Sequence, residues 1–121
     1  MIVAVVGSRT LKVENLKDYL PKNTAEIVSG GAKGIDTCAK KYALENNIKY
    51  TEFLPEYEKY GRSAPLRRNI DIVKYAGYVI AFWDGKSRGT AFTIGMCKSF
   101  DVRVKIYYPE DISWYLLLFD V

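Results

Sequence analysis

The sequence contains no histidine, only two cysteines and no long hydrophobic run. Without an imidazole, the chain cannot build a Ser-His-Asp triad or a zinc site with histidine ligands. Cys38 and Cys97 have no metal-type partner spacing around them, so we expect two reduced thiols in a reducing compartment and no metal site. The composition therefore excludes imidazole chemistry and predicts a cytoplasmic protein.

The apolar segments are too short to cross a membrane. Residues 1–6 form an apolar run with no basic segment before it and no cleavage-site pattern after it, which predicts a strand and not a signal peptide. The longest carboxy-terminal stretch, residues 114–119, falls far below the roughly 18 residues that a membrane helix needs. We therefore expect no membrane contact.

The 121 residues have an ordinary globular composition, 49% hydrophobic and 26% charged, with a formal net charge of +4. This length predicts a single domain over residues 1–121. Strand-like runs alternate with segments of helical periodicity, which is typical of an α/β fold with a mainly parallel sheet. We predict strands at residues 2–6, 26–28, 50–54, 78–83 and 102–107, and helices at 13–20, 36–46, 64–76 and 89–100. In the helix of residues 64–76, Leu66, Ile70 and Val73 form the predicted inward stripe.

Glycine-containing loops with basic or hydroxyl side chains follow the first, second and fourth predicted strands. Because the carboxyl ends of parallel strands meet at one edge of a sheet, where ligands bind in open α/β folds, these loops are expected to converge. The loop of residues 29–34, SGGAKG, passes directly into the most regular helix, so its N–H groups and the helix dipole predict a phosphate cradle. Its spacing is neither the dinucleotide fingerprint nor a Walker A loop.

A nucleotide-type ligand is the interpretation that these loops favour together. Arg67 and Arg68 suit bidentate binding of a phosphate, Asn69 suits a base edge or a ribose, and Trp83 suits stacking on a base. The predicted binding residues are Gly7, Ser8, Arg9, Ser29, Gly30, Gly31, Lys33, Gly34, Asp36, Arg67, Arg68, Asn69, Trp83, Ser87, Gly89 and Thr90.

Two aspartates are the candidates for catalysis, and each has an alternative interpretation. Asp36 is either an acid in the first turn of its helix, complementing the dipole, or an acceptor for a ribose hydroxyl. Asp84 is either a general acid or base or a turn former, and we favour the turn because an Asp-Gly pair after a strand is usually turn chemistry. Beyond the nucleotide-type ligand we expect no cofactor.

Four ordered motifs resemble the SLOG superfamily, namely VGSR at residues 6–9, VSGGAKGID at 28–36, PLRRN at 65–69 and DGKSRGT at 84–90. This superfamily includes the Lonely Guy phosphoribohydrolases and the DprA/Smf proteins, and the chain is most similar to its small YspA-like branch. The resemblance covers roughly residues 2–107. It implies a Rossmann-like three-layer domain with a five-stranded sheet and a nucleotide-type ligand at the predicted crevice.

Three candidate functions can be ranked by where this sequence departs from the motifs of the family. Lonely Guy enzymes carry a catalytic glutamate where Thr93 stands here, so we favour a sensor or regulatory module over N-glycosidic hydrolysis of a nucleoside monophosphate. In that module the phosphate lies on the helix amino termini after Gly34 and Gly89, with Arg9 and either Arg67 or Arg68 as clamps. Single-stranded DNA binding, as in DprA-like proteins, comes third, because a net charge of +4 is modest for a nucleic-acid binder.

The end of the chain predicts a separate contact. Residues 110–121 carry apolar side chains on nearly every side, more than a single surface helix or edge strand exposes. Such a segment either covers one edge of the sheet or meets another subunit. We expect a homodimer or a higher homo-oligomer.

Overall fold

A computed structural model describes residues 1–112 of the chain, in which strands and helices alternate. The strands are β1 (Ile2–Gly7), β2 (Glu26–Ser29), β3 (Lys49–Glu52), β4 (Tyr78–Phe82) and β5 (Arg103–Tyr107). The helices are α1 (Ile35–Glu45), α2 (Tyr57–Tyr60), α3 (Ala64–Tyr75) and α4 (Arg88–Ser99), and 3₁₀ turns occupy Leu16–Tyr19, Gly61–Ser63 and Pro109–Asp111.

The five strands form one sheet in the order β3-β2-β1-β4-β5, and every neighbouring pair is parallel. The chain first extends the sheet from β1 to β3 and then returns past β1 to place β4 and β5 on its other side. Val6 pairs with Ala81 and Gly7 with Phe82, so the carboxyl ends of β1 and β4 lie next to each other. A reversal of strand order of this kind opens a crevice where open α/β sheets bind ligands.

Alternate residues of β1 face opposite sides of the sheet. Val3 and Val5 pack with Ile35 of α1 in one core cluster, whereas Ala4 and Val6 pack with residues of α3 and α4 in the other. Because both faces of the strand are covered, β1 is an uninterrupted apolar run. The prediction of a Rossmann-like three-layer domain with a five-stranded parallel sheet is confirmed.

The helix predicted over residues 13–20 is wrong, because this segment contains a single 3₁₀ turn, Leu16–Tyr19. Leu20 has an extended backbone, with φ −88° and ψ 142°, since the following Pro21 disfavours a helical conformation for the residue before it. Val13 and Leu16 are nevertheless buried in the cluster that contains α1. The apolar pattern therefore reports burial in this segment and not a regular helix.

The predicted inward stripe of α3 is only partly correct. Val73 is buried, but Leu66 is 40% exposed, and Ile72 is the buried neighbour that the stripe omitted. α2, which precedes this helix, was not predicted.

No helix within residues 1–112 is both long and apolar enough to span a membrane. The segment predicted to meet another subunit begins in the last 3₁₀ turn, and its residues 113–121 lie outside the described residues.

Glu26, at the amino end of β2, joins this strand to β3 and α3. Its carboxylate accepts hydrogen bonds from Tyr75 Oη at 2.6 Å and Thr51 Oγ1 at 2.7 Å, and Lys49 Nζ lies 3.6 Å away. Burial acts to raise the pKa of Glu26, but these hydrogen bonds and Lys49 outweigh it and the pKa is lowered. The folded state therefore holds the ionised form.

We expect Glu26→Gln to lower the free energy of unfolding by about 1 kcal/mol at neutral pH, because charge-assisted hydrogen bonds are lost. A depressed folded-state pKa contributes stability above the unfolded value of 4.5, and this contribution disappears as the pH falls through the folded-state pKa. Urea unfolding at pH 7 and at about pH 3 should show the difference between the two proteins narrowing in acid. A difference that stays constant with pH would contradict the assignment.

Candidate functional site

A cleft of about 330 Å³ lies where the carboxyl ends of β1 and β4 meet. The loop after β1, one face of α3 and the amino-terminal parts of α1 and α4 line it. The structure brings nine of the predicted binding residues together in its lining, namely Gly7, Ser8, Arg9, Asp36, Arg68, Asn69, Ser87, Gly89 and Thr90. The other predicted residues, Ser29, Gly30, Gly31, Lys33, Gly34, Arg67 and Trp83, lie outside that lining.

The loop between β2 and α1 packs closely against the loop that follows β1. Gly34 has a φ of 77°, and a Cβ atom there would lie 2.6 Å from the Arg9 carbonyl oxygen and 2.7 Å from that of Ser8. Only glycine combines this conformation with so close an approach. The residue before α1 is therefore packed tightly against the backbone of the loop after β1.

Asp36, in the first turn of α1, directs its carboxylate back into the same loop. The carboxylate accepts a hydrogen bond from the Ala32 N–H at 3.1 Å, and only 6% of the residue is exposed. Burial is the largest influence and raises the pKa of Asp36, although the Ala32 N–H and the charge of Arg68 oppose it. Ser29 Oγ is buried and has no hydrogen-bond partner among residues 1–112. The carboxyl of Asp36 thus has one backbone donor within its own loop, the Ala32 N–H.

Arg68 fixes the other side of this loop. Its Nη1 donates to the Gly30 carbonyl and, at 3.3 Å, to that of Phe53, and its Nε donates to Asn69 Oδ1 at 2.8 Å. A Cβ atom at Gly30 would lie 2.6 Å from Arg68 Nη1, so the missing side chain makes room for the guanidinium. Burial lowers the pKa of Arg68, but an arginine stays charged at neutral pH.

The amino terminus of α4 is open to the cleft. Gly89 and Thr90 line the cleft, and a Cβ atom at Gly89 would meet no other atom within 4 Å. The Ala91 N–H is the first to bond back along the chain, to the Ser87 carbonyl, and no acceptor among residues 1–112 meets the N–H groups of Gly89 and Thr90. Free N–H groups in the first turn of a helix, together with its dipole, favour an anion.

Asp84 organises the turn that leads into α4. Its Oδ1 accepts hydrogen bonds from the N–H groups of Lys86 and Ser87 and from Ser87 Oγ, each at 2.8 Å. The Asp84 N–H donates to Ser8 Oγ at 3.0 Å, and the Ser8 and Ser87 hydroxyl oxygens lie 2.6 Å apart. The backbone donors hold the pKa of Asp84 far below its usual range. This geometry is that of a turn former which also ties the β1 loop to the β4 loop.

The remaining predicted cations and Trp83 occupy different environments. Arg9 is exposed and lines the cleft, and it makes no ion pair with a carboxylate among residues 1–112. Arg67 lies outside the lining, with its guanidinium 5.1 Å from the centre of the Tyr60 ring, and Lys33 is exposed. Trp83 Nε1 donates to the Ser87 carbonyl at 3.0 Å, so the indole supports the turn from beside the cleft.

Several lining residues were not predicted to bind, among them Thr10, Leu66 and Thr93. Thr93 takes the position of the Lonely Guy glutamate; its hydroxyl donates to the Gly89 carbonyl at 3.0 Å, and the residue is 2% exposed. Leu66 lies between Pro65 and Arg67 in the motif whose arginines were predicted to bind. Its position in that motif is the sequence signal that could have placed it at the cleft. In the described part of the chain, no three acidic or cysteine side chains lie close enough to hold a metal ion.

Comparison with known families identifies the domain. The family model described as DNA recombination-mediator protein A matches residues 1–81. The chain belongs to this DprA/Smf family. The identification confirms the predicted membership of the SLOG superfamily, while the YspA-like branch stays a prediction. Comparisons with curated proteins and with solved structures give no significant match.

The DprA/Smf match covers only part of the cleft. It includes the loop after β1, Asp36 and Arg68, and it ends inside β4 at residue 81. The turn at Asp84 and the open first turn of α4 lie beyond it. The family model therefore does not describe the N–H groups of Gly89 and Thr90.

Proposed function

We propose that the cleft binds a nucleotide or nucleotide-derived ligand through a phosphate, and that the protein acts as a sensor or regulatory module. One observation carries the proposal: within residues 1–112 the N–H groups of Gly89 and Thr90 have no acceptor, and the Arg9 guanidinium in the same cleft makes no ion pair. N–H groups of a helix amino terminus and an arginine together are suited to hold a phosphate.

The environment of Asp84 and the presence of a threonine at residue 93 support binding over bond cleavage. Asp84 stays ionised at neutral pH, and three hydrogen bonds from its own turn occupy its Oδ1, so it is a poor general acid and a weak base. Asp36 is held by its own loop, and Thr93 has no titratable group to offer in place of a glutamate. A nucleoside monophosphate hydrolase remains the alternative, and release of free base from a monophosphate would establish it.

Membership of the DprA/Smf family favours a second candidate, a single DNA strand whose phosphodiester occupies the same position. Tyr57 is 59% exposed and Tyr60 carries Lys59 and Arg67 against its ring, an arrangement that suits stacking of bases. The salt dependence of the binding affinity distinguishes the two candidates. A DNA strand bound through several of its phosphates loses affinity steeply as the salt concentration rises, whereas a bound mononucleotide releases few counterions.

We expect Arg9→Gln to weaken binding of adenosine 5′-monophosphate about tenfold, since one charge-assisted hydrogen bond to the phosphate is lost. Arg67→Gln is the matched control, because it removes the same charge from an exposed arginine outside the cleft. Its affinity should stay within about twofold of the native value. Calorimetry of the three proteins measures both effects.

Two outcomes would end the proposal. Equal losses in the two arginine variants would show a general effect of charge and no site at Arg9. The absence of binding heat from nucleoside monophosphates, a nicotinamide dinucleotide and ADP-ribose at millimolar concentration would exclude this ligand class altogether.

A further inference from the structure

We infer that Arg68 orients the side-chain amide of Asn69 so that its NH₂ group donates a hydrogen bond to the base of a nucleotide bound in the cleft. This inference rests on the proposed function, which places the ligand phosphate at the amino terminus of α4. It adds the chemistry of the other end of the ligand, namely a base that presents a hydrogen-bond acceptor to α3.

Arg68 determines which atom of the Asn69 amide is the oxygen. The Nε of an arginine carries a hydrogen and cannot accept a hydrogen bond. It lies 2.8 Å from the Asn69 side chain, so the amide atom that faces it must be Oδ1. The NH₂ group is then the arm of the amide that is left for another partner.

Arg68 is itself held in place. Its Nη1 donates to the carbonyl oxygens of Gly30 and Phe53, and a Cβ atom at Gly30 would lie 2.6 Å from that nitrogen. Together with the bond to Asn69, these contacts fix the plane of a rigid guanidinium. The Asn69 amide is therefore oriented before a ligand arrives, which lowers the entropic cost of a contact with it.

The NH₂ group of Asn69 is available to a ligand. Asn69 lines the cleft, and its Nδ2 meets no acceptor in the described part of the chain. A ligand that places an acceptor there gains a hydrogen bond. A ligand that places a donor or a carbon atom there leaves the NH₂ group unpaired and binds less tightly.

The neighbours of Asn69 on α3 favour a base over a ribose. Pro65 precedes it by four residues and Ile72 follows it by three, so these side chains share one face of the helix, with Leu66 beside them. All of them line the cleft, and Leu66 is 40% exposed. A flat ring can bury itself against this apolar surface, whereas a ribose would place its hydroxyl groups there without partners.

The first test follows nitrogen-15 NMR signals while adenosine 5′-monophosphate is added. The Asn69 NH₂ group gives a pair of signals, which its absence from the Asn69→Asp variant identifies. In the native protein this pair should shift to saturation over the same concentrations as the backbone signals of Gly89 and Thr90.

The second test locates the acceptor with the 1-deaza, 3-deaza and 7-deaza analogues of adenosine 5′-monophosphate. Each analogue replaces one accepting ring nitrogen with a C–H group and leaves the phosphate unchanged. We expect the native protein to bind one of the three about fivefold more weakly than the parent nucleotide. Asn69→Asp keeps an oxygen for Arg68 but lacks the NH₂ group, so this preference should disappear. The added charge cancels in the comparison, because the ligands carry the same phosphate.

Two further variants serve as controls. Asn23→Asp makes the same change at an exposed residue whose carbonyl binds the amino group of Met1, at the opposite edge of the sheet, and it should keep the native preference. Arg68→Lys keeps the charge but has no donor at the Nε position, so the preference should fall to about twofold. A merely structural role of Arg68 would weaken both ligands alike and leave the preference unchanged.

Equal affinities of the native protein for the parent nucleotide and all three deaza analogues, or a preference that persists in Asn69→Asp, would overturn the inference. A loss confined to the 2′-deoxy or 3′-deoxy nucleotide would assign Asn69 to the ribose and likewise overturn it. An unchanged preference in Arg68→Lys would exclude the positioning role of Arg68. Should that variant fail to fold, the Arg68 Nε–H signal should be protected from exchange with water in the native protein and not in Asn69→Ala, and equal exchange would contradict the contact.

The NMR signals also separate this inference from the proposed function. If Gly89 and Thr90 respond and the Asn69 pair does not, the inference falls and the proposed function stands. If only the Asn69 pair responds, the phosphate site at α4 fails and the inference stands. If neither responds, both fail.

Discussion

Gly34→Ala should lower the free energy of unfolding by roughly 3 kcal/mol. The backbone at Gly34, with φ 77° and ψ −120°, lies in a region that residues with a side chain rarely adopt. The new Cβ would also lie 2.6 Å from the Arg9 carbonyl oxygen, and two backbone segments would have to separate to relieve the contact.

Thermal and urea unfolding measure this loss, and a drop in melting temperature of about 10 °C or more is expected. Gly95→Ala is the control, because Gly95 lies inside α4 and a Cβ there meets no atom within 4 Å. That variant should be as stable as the native protein or more stable by up to about 1 kcal/mol, since alanine favours a helix. A Gly34→Ala protein of native stability would contradict the close packing of the two loops.

Gly89→Asp should reduce the affinity for adenosine 5′-monophosphate by more than about 100-fold without destabilising the fold. The position is open, so a side chain fits. An acidic residue in the first turn of a helix is favourable to the helix, and its carboxylate would take the N–H groups that the phosphate needs.

Gly95→Asp is the matched control, since it adds the same charge to the same helix away from its amino terminus. Its affinity should remain within a few fold of the native value. Calorimetry distinguishes the two variants, and thermal unfolding checks that both are folded. Equal affinities for Gly89→Asp and the native protein would exclude the first turn of α4 as the phosphate site.

The parallel sheet could be predicted because its inner strands are covered on both faces. Residues such as Val3 and Ala4 pack on opposite sides of the sheet, so the strand leaves an unbroken apolar run in the sequence. In the segment at residues 13–20 the same apolar pattern led to a wrong prediction of a helix. Its apolar residues are buried as a helix would bury them, but the proline at residue 21 and the extended Leu20 limit it to one 3₁₀ turn.

The place of the cleft could also be predicted, since loops at the carboxyl ends of parallel strands must meet. Whether each of these loops is covered or open could not be predicted from the sequence. Gly34 and Gly89 both open a helix after a glycine-containing turn, yet one is covered by Arg9 and the other faces open space. That difference arises from contacts between segments distant in the sequence, and no local pattern reports it.

The choice between Arg67 and Arg68 was left open in the sequence for a similar reason. Adjacent helical residues point about 100° apart, so only one of them can face the sheet edge. The structure turns Arg68 onto the Gly30 carbonyl and leaves Arg67 against the Tyr60 ring. Among residues 1–112 the Arg9 guanidinium in the cleft makes no ion pair, which supports assigning the phosphate contact to Arg9.

A crystal structure of the native protein soaked with adenosine 5′-monophosphate tests the phosphate site most directly. The account predicts the phosphate within hydrogen-bond distance of the Gly89 and Thr90 N–H groups and of Arg9, with the Asp36 carboxylate still bound to the Ala32 N–H. A phosphate seated in the loop of residues 29–34 with Asp36 displaced, or a nucleotide bound with its phosphate away from α4, would contradict it.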